Sequence, residues 1–455
     1  MESAVNPHQL KVEVNNRQIL SIALPITLAI LIPQINLLVN SIFLGHYDHE
    51  SLGNAGITGV FYLIFAVAGN GLNNALQTVF SKYAGSGESE NFKHIMAQGI
   101  RISVQLALVF IAFTWLLAPL IMQQVADPKS YPAEMGFLRI RILGLPFLYL
   151  FQMGNAFLVA SLNSRYLIFA FVAEAIVNII FDYLLIFGKG GFPEMGFNGA
   201  AVASLIAEAT GMLVVLLVIF LTQLKKQYGL FETFKYNKKL TREVFIISAP
   251  LVLQYLISVT TWLIFFLLIE SKGVMAKAIS NVMRNVFGLV GIFVWAFAGT
   301  CNTMVANLMG QNREDQVLPA IRKISWWSIG LCFFMVLVLN LFPSMFFKLF
   351  GQDEAFVQAG VPVIRIVSLG MLLMSLANIW LNGVTGTGKT KVNLLIEILA
   401  ILLYLAYTWY FMRVHYISLA MAWSNEFIYW STVFILSFWF LNSGKWKTKL
   451  KQSLQ

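Results

Sequence analysis

Only 2 cysteines occur among 455 residues. Cys301 and Cys332 fall in different apolar stretches, which excludes a disulfide-stapled fold and a thiolate metal cluster and leaves both as core residues. Charge is scarce too: Asp, Glu, Lys and Arg make up 11% of the chain, against about 25% in soluble domains. A solvated surface is thereby excluded for most of its length. Ten-residue stretches of alternating polarity are missing, which excludes a membrane barrel, and no low-complexity segment or soluble domain is appended. Apolar residues fill the space instead, at 58% of the chain with a mean hydropathy of +0.74.

Apolar stretches lie near 18–44, 51–80, 97–123, 136–162, 166–187, 198–223, 243–270, 278–309, 323–350, 361–384, 392–412 and 415–441. Each reaches the roughly 20 residues that cross a bilayer as a helix, and helices satisfy their backbone groups without water. The expected fold is therefore all-α and polytopic, with about twelve transmembrane helices. The first stretch is too long for a signal-peptide core and no small-residue cleavage site follows it, so it is expected to be retained. Most of the 31 lysines and arginines fall in loops on one side when both termini are put in the cytoplasm, as the positive-inside rule requires. The net charge of +10 then reads as attraction to anionic lipid, with no nucleic acid as partner.

The second six stretches restate the landmarks of the first. Pro25 recurs as Pro250, Gly85 as Gly310, and the pair Arg139 and Gly144 as Arg365 and Gly370 at nearly the same offset. Repeats of this kind build secondary transporters, with a substrate site between two bundles. The organisation expected is a cytoplasmic segment at 1–17, a first six-helix bundle at 18–224, a cytoplasmic linker at 225–242, a second, pseudo-symmetric six-helix bundle at 243–441 and a basic tail at 442–455. Pro25 and Pro250 free carbonyls in spans one and seven and are candidate hinges.

Two motifs are decoys. Gly383, Gly388, Lys389 and Thr390 match the phosphate-binding pattern G-x-x-x-x-G-K-T, but that pattern needs a strand before it and a helix after it. Here apolar spans flank it, so a short turn between spans ten and eleven is expected. His46, Asp48, His49 and Glu50 have metal-ligand chemistry, but they read as a solvated loop, and no metal site is expected. Arg139, Arg141, Arg284 and Arg365 lie near external span ends, where long side chains reach water.

Carboxylates inside spans carry more weight, because each costs about 2.5–3.5 kcal/mol at a helix centre and usually marks a pathway. Span five holds Glu174, Asn178 and Asp182, four residues apart and so along one helical face. Span six adds Ser204 and Glu208, and span one adds Asn40. Amide, carboxylate and hydroxyl oxygens suit a hard cation; a buried carboxylate can instead carry a proton. Glu174 and Glu208 extend this as a proton or cation pathway. The competing structural role is polar glue between helices.

From these residues the chain resembles, over essentially its full length, the multidrug and toxic compound extrusion (MATE) family. The best local match is Asn178 to Ser204, NIIFDYLLIFGKGGFPEMGFNGAAVAS, with Asn and Asp one turn apart, a Gly-rich loop, Gly199-Ala200-Ala201 and a hydroxyl residue. Pro25 with the following LVNSIFLGH, the segments YAGSGE and LMGQN, and Gly386-Thr387-Gly388 with Thr390 support it. The resemblance implies an antiporter, not an enzyme, that expels organic cations or amphiphilic compounds in exchange for Na⁺ or H⁺ and uses no other cofactor. It further implies a bacterial inner-membrane protein acting as a monomer. Family members with an ion site in the first bundle place it on helices one, five and six, which carries over to Asn40, Asn178, Asp182 and Ser204. The departure is Asn40, where an acid is common. Acids that another subgroup carries on helices seven and ten are missing from Gln254–Ser258 and Met374–Asn382, so ion coupling is expected in the first half alone. Gln34, Gln152 and Asn155 are candidate substrate contacts. The alternatives are a polysaccharide or lipid-linked oligosaccharide flippase of the same superfamily and, in a different class, a membrane enzyme or ATP-driven pump that would use the Walker-like turn.

Overall fold

A computed structural model describes residues 10–47, 49–125, 128–270, 272–348, 354–411 and 417–447. These residues are helical almost throughout and form two compact units. The first is built chiefly of Leu24–Leu256, the second of Lys11–Ala23 together with the chain from Ile257 onward. Each unit thus takes its principal part from one half of the sequence.

The first unit holds most of α1 (Asn16–Tyr47), then α2 (His49–Ser86), α3 (Phe92–Leu116), α4 (Ala118–Val125), α5 (Tyr131–Arg141), α6 (Leu145–Ala160), α7 (Leu167–Ile186), α8 (Phe197–Leu221), α9 (Leu224–Tyr228) and the start of α10 (Lys238–Glu270). The second continues α10 and adds α11 (Val274–Gly310), α12 (Val317–Leu341), α13 (Pro343–Lys348), α14 (Glu354–Gly386), α15 (Thr390–Trp409), α16 (Leu419–Trp423) and α17 (Asn425–Asn442). Among the described residues, 10 helices are long and apolar enough to cross a membrane. Helix α2, of 38 residues, and α17, of 18, stand where the second and twelfth spans were expected.

Neither Pro25 nor Pro250 ends its helix. The fourth span is interrupted instead: Pro146 has no N–H to offer the carbonyl of Ile142, and the chain tightens into a 3₁₀ turn over Ile142–Gly144 between α5 and α6.

Close packing of small residues joins α7 to α8. A Cβ on Gly199 would stand 2.7 Å from the backbone carbonyl of Leu185, so only glycine lets the helices approach this far. Elsewhere in this unit Phe80, Phe92 and Phe157 meet edge-on, with centroids 5.3 to 5.9 Å apart, and Tyr228 of the linker joins them 5.1 Å from Phe92. The linker is tied down further: the buried Gln98 donates to the Lys235 carbonyl (3.1 Å) and accepts from Thr241 (2.9 Å), while Arg101 donates to the Phe234 carbonyl.

In the second unit the core runs through Phe265, Met283, Val286, Val290, Val367, Met371 and Trp423, whose indole N–H donates to Ser280 Oγ at 3.1 Å. The segment before α1 docks here. Val12 is fully buried, its N–H donates to Asn307 Oδ1 (3.1 Å), and its carbonyl accepts from Gln311 Nε2 (3.1 Å). Cys301 and Cys332 are buried free thiols in this unit, donating to the carbonyls of Ile379 and Met371.

Candidate functional site

Because α7 is unbroken from Leu167 to Ile186, Glu174, Asn178 and Asp182 stack on one face. Asp182 is fully buried and Asn178 is 6% exposed. The Asn178 amide donates to Asp182 Oδ2, whereas Asp182 Oδ1 is buried with no hydrogen-bond partner in the protein. Asn40 Oδ1 on α1 is in the same condition. Neither Asn40 nor the partly buried Ser204 bonds to Asp182, but an apolar cluster aligns their helices. Leu44 packs with Ile186, Ala200 and Ala201, and Phe43 meets Phe187 at 6.1 Å. Asn40, Asp182 and Ser204 each lie four residues from a member of that cluster, one helical turn to the same side, since α8 runs opposite to α1 and α7. The three helices therefore carry their polar residues at one level.

Glu208 has a different environment. Arg141 grips it with Nη2 to Oε1 at 2.6 Å and Nη1 to Oε2 at 2.8 Å, the side chains being 13% and 4% exposed. The Tyr62 hydroxyl donates to Oε1 at 2.9 Å, and its ring lies 3.8 Å below the guanidinium. Gly144, in the 3₁₀ turn, makes room: a Cβ there would collide with Glu208 Oε2. The expectation that Arg141 reaches water is thus corrected. Helix α5 begins at Tyr131, earlier than its apolar stretch, which carries Arg141 ten residues into the bundle. Arg139 and Arg365 remain exposed, as expected of anchors. Glu174 continues the α7 face one turn beyond Asn178: its Oε2 is buried without a partner, and a Cβ on Gly211, one turn past Glu208, would stand 3.1 Å from it.

The other candidates disperse. Gln34 is exposed, Asn155 is half-buried, and Gln152 donates to Asn70 Oδ1 at 2.9 Å. His46 Nδ1 meets its own helix at the Ile42 carbonyl, 2.8 Å away, while Asp48 lies outside the described residues. The Walker-like residues span the end of α14, a turn at Thr387–Lys389 and the start of α15, with no strand before them. Three buried acids were not singled out from the sequence: Glu134, just before the apolar stretch of span four and fully buried, and two inside apolar stretches, to which the rule that flagged Asp182 applies. Glu397 in α15 is 1% exposed and Glu426 in α17 is 4% exposed. Buried carboxylates therefore occur in both halves.

Comparison with known proteins accords with this architecture. The MatE family model matches residues 25–184 and 250–410, one segment per half, opening on Pro25 and Pro250. The probable multidrug resistance protein NorM of Thermotoga maritima is 22% identical over 450 residues, covering 95% of this chain and 93% of its own length. Among solved structures, an outward-facing multidrug resistance MATE family transporter of the MOP superfamily superposes with a TM-score of 0.88 at 14% identity, covering 98% of this chain and 100% of that one. A MOP superfamily transporter from Pyrococcus furiosus gives 0.84 at 14% identity, covering 98% of each chain. Likeness at such identities establishes the fold.

Proposed function

The chain belongs to the MatE family of membrane transporters, and from that premise we propose that it is a secondary antiporter exporting organic cations or amphiphilic drugs in exchange for H⁺ or Na⁺. The observation that carries this reading is Asp182. A fully buried carboxylate, held on one oxygen by Asn178 and offered no donor on the other, is costly inside a membrane unless it takes up a cation or a proton. Asn40 adds a second unsatisfied oxygen at the same level, and Ser204 a hydroxyl. With Asn at position 40, Asp182 is the titrating member of this set. Glu174 extends the same face of α7 and supplies the next station, whereas Glu208, already neutralised by Arg141, holds that station in place.

A flippase of phosphate-linked sugars would need unpaired basic groups around its substrate, and Arg141 is spent on Glu208. The bacterial relatives and the distribution of Lys and Arg support an inner-membrane protein with both termini in the cytoplasm. The test is substrate efflux from proteoliposomes under an imposed H⁺ gradient and, separately, an imposed Na⁺ gradient. Asp182→Asn should abolish the gradient-driven component while the protein stays folded. Unchanged efflux in that variant would sink the assignment.

A further inference from the structure

Repeat symmetry directs attention to Glu426. Gly144 and Gly370 are equivalent in the two halves, and each faces a glutamate on the last helix of its own half: Gly144 meets Glu208, and a Cβ on Gly370 would stand 3.4 Å from Glu426 Cβ. Glu426 thus meets the second half's glycine as Glu208 meets the first's, although the offset that pairs the glycines puts Phe434 in the place of Glu208. The arginine does not repeat, because the offset that pairs Arg139 with Arg365 puts the buried Val367 in the place of Arg141. Among the described residues no ion pair reaches Glu426.

Neutral groups surround it. Trp430 Nε1 donates to Glu426 Oε2 at 2.9 Å. From α15 the buried Tyr404 hydroxyl faces Glu426 and Asn425 within reach of a hydrogen bond to either. Asn425 Nδ2 donates to Thr408 at 3.0 Å, while Asn425 Oδ1 is buried without a partner. The Tyr404 ring lies 5.9 Å from that of Tyr429, whose hydroxyl donates to Glu397 Oε1, an oxygen that also accepts from Ser258 on α10. The titratable groups around Glu426 are therefore Tyr404, Tyr429 and Glu397.

We propose that Glu426 is a second proton-binding carboxylate, lodged in the second unit and linked towards Glu397 through Tyr404 and Tyr429. A buried carboxylate without a counter-cation is expensive; its neutral acid is not, and the acid's O–H would find acceptors in the neighbouring Tyr404 hydroxyl and the unpartnered Asn425 Oδ1. Too few oxygens converge for a metal cation, which takes six or so. Proton binding at Glu426 is independent of the antiport reading; only its contribution to coupling rests on it.

Infrared difference spectroscopy of the purified, reconstituted full chain between pH 5 and pH 9 tests the site. The wild type should show a protonated-carboxyl component that is lost in Glu426→Gln and retained in Asp182→Asn, distinct from any component that Asp182 contributes. Trp430→Phe, which keeps the acid and removes the indole donor, should shift the same band and carries the test where Glu426→Gln folds poorly. A spectrum that neither substitution alters overturns the proposal. Efflux in the same liposomes separates the two readings: gradient-driven efflux with an unaltered carboxyl band removes the second site and leaves antiport standing. A wild type indifferent to either gradient removes antiport, while the band still decides the site.

Discussion

Removing one partner of the Arg141–Glu208 pair should destabilise the first unit far more than removing both. Two charge-assisted bonds of 2.6 and 2.8 Å join side chains that are 13% and 4% exposed, so neither group can recover its hydration when the other is lost. Breaking a buried pair costs about 3–5 kcal/mol, and the Tyr62 ring 3.8 Å from the guanidinium attracts that cation by about 2 kcal/mol when desolvated, without replacing the carboxylate. Glu208→Gln retains the shape and an acceptor for the Tyr62 hydroxyl but leaves the guanidinium charge uncompensated. Its unfolding free energy should fall by about 3–5 kcal/mol, shifting the equilibrium by a factor on the order of 10²–10³. Arg141→Met should cost a similar amount by stranding the carboxylate, and the double variant should be more stable than either single one. Gly144→Ala supplies a control without charge change, since its methyl group would displace Glu208 Oε2. Equilibrium unfolding in bicelles, followed as a double-mutant cycle, measures the coupling directly. Single losses that simply add, or a Glu208→Gln protein within about 0.5 kcal/mol of wild type, a change typical of an unremarkable surface site, would refute the reasoning.

Two further outcomes follow from particular contacts. Gly199→Ala forces the α7 and α8 backbones apart where a Cβ would stand 2.7 Å from Leu185; it should cost about 1–3 kcal/mol as overpacking and weaken gradient-driven efflux through Ile186 and Asp182, which unfolding and transport assays on one preparation would check. In the linker, burial pushes Tyr228 up to about 12. The unfolded phenol ionises near pH 10, so the docked linker is fully stabilised below that pH and loses stability as pH rises towards 12. Tyr228→Phe should raise the alkaline midpoint of linker release, read from the mobility of a nitroxide on Lys239→Cys; an unmoved midpoint would refute it.

The spacing of Asn178 and Asp182 was legible because a helical interval of four is a local fact, and the bond between them needs no third element. Membrane helices, buried thiols and the harmless Walker-like turn were legible for the same reason. Arg141 was not. Its partner is 67 residues away on another helix, and its depth depends on α5 starting at Tyr131, outside the apolar stretch that marked the span. The docked linker and the buried Val12 were hidden likewise, since polar connections look alike whether they hang in water or have their carbonyls claimed by Gln98, Arg101 and Gln311. Glu397 and Glu426 lie inside apolar stretches and were legible to that extent, but no amide one turn away on the same helix face marks Glu426 as Asn178 marks Asp182.

Glu426 changes what the internal repeat implies. A repeat that preserved only Gly and Pro would fix backbone geometry and leave chemistry to diverge. Here a glutamate of the last helix stands against the equivalent glycine in each half, Glu208 at Gly144 and Glu426 at Gly370, so the two halves share a glycine–carboxylate contact as well as a scaffold. What separates them is one residue in the facing helix, Arg141 against Val367. With the arginine, the carboxylate is paired with a partner that cannot give up its charge, and the pair locks α5 to α8. With valine, the same carboxylate has hydroxyl, amide and indole neighbours, and a proton is the lightest charge that can balance it. On the proposals made above, the asymmetry between the halves lies in which carboxylates bind a proton, Asp182 in the first and Glu426 in the second, behind a repeat that hides the difference.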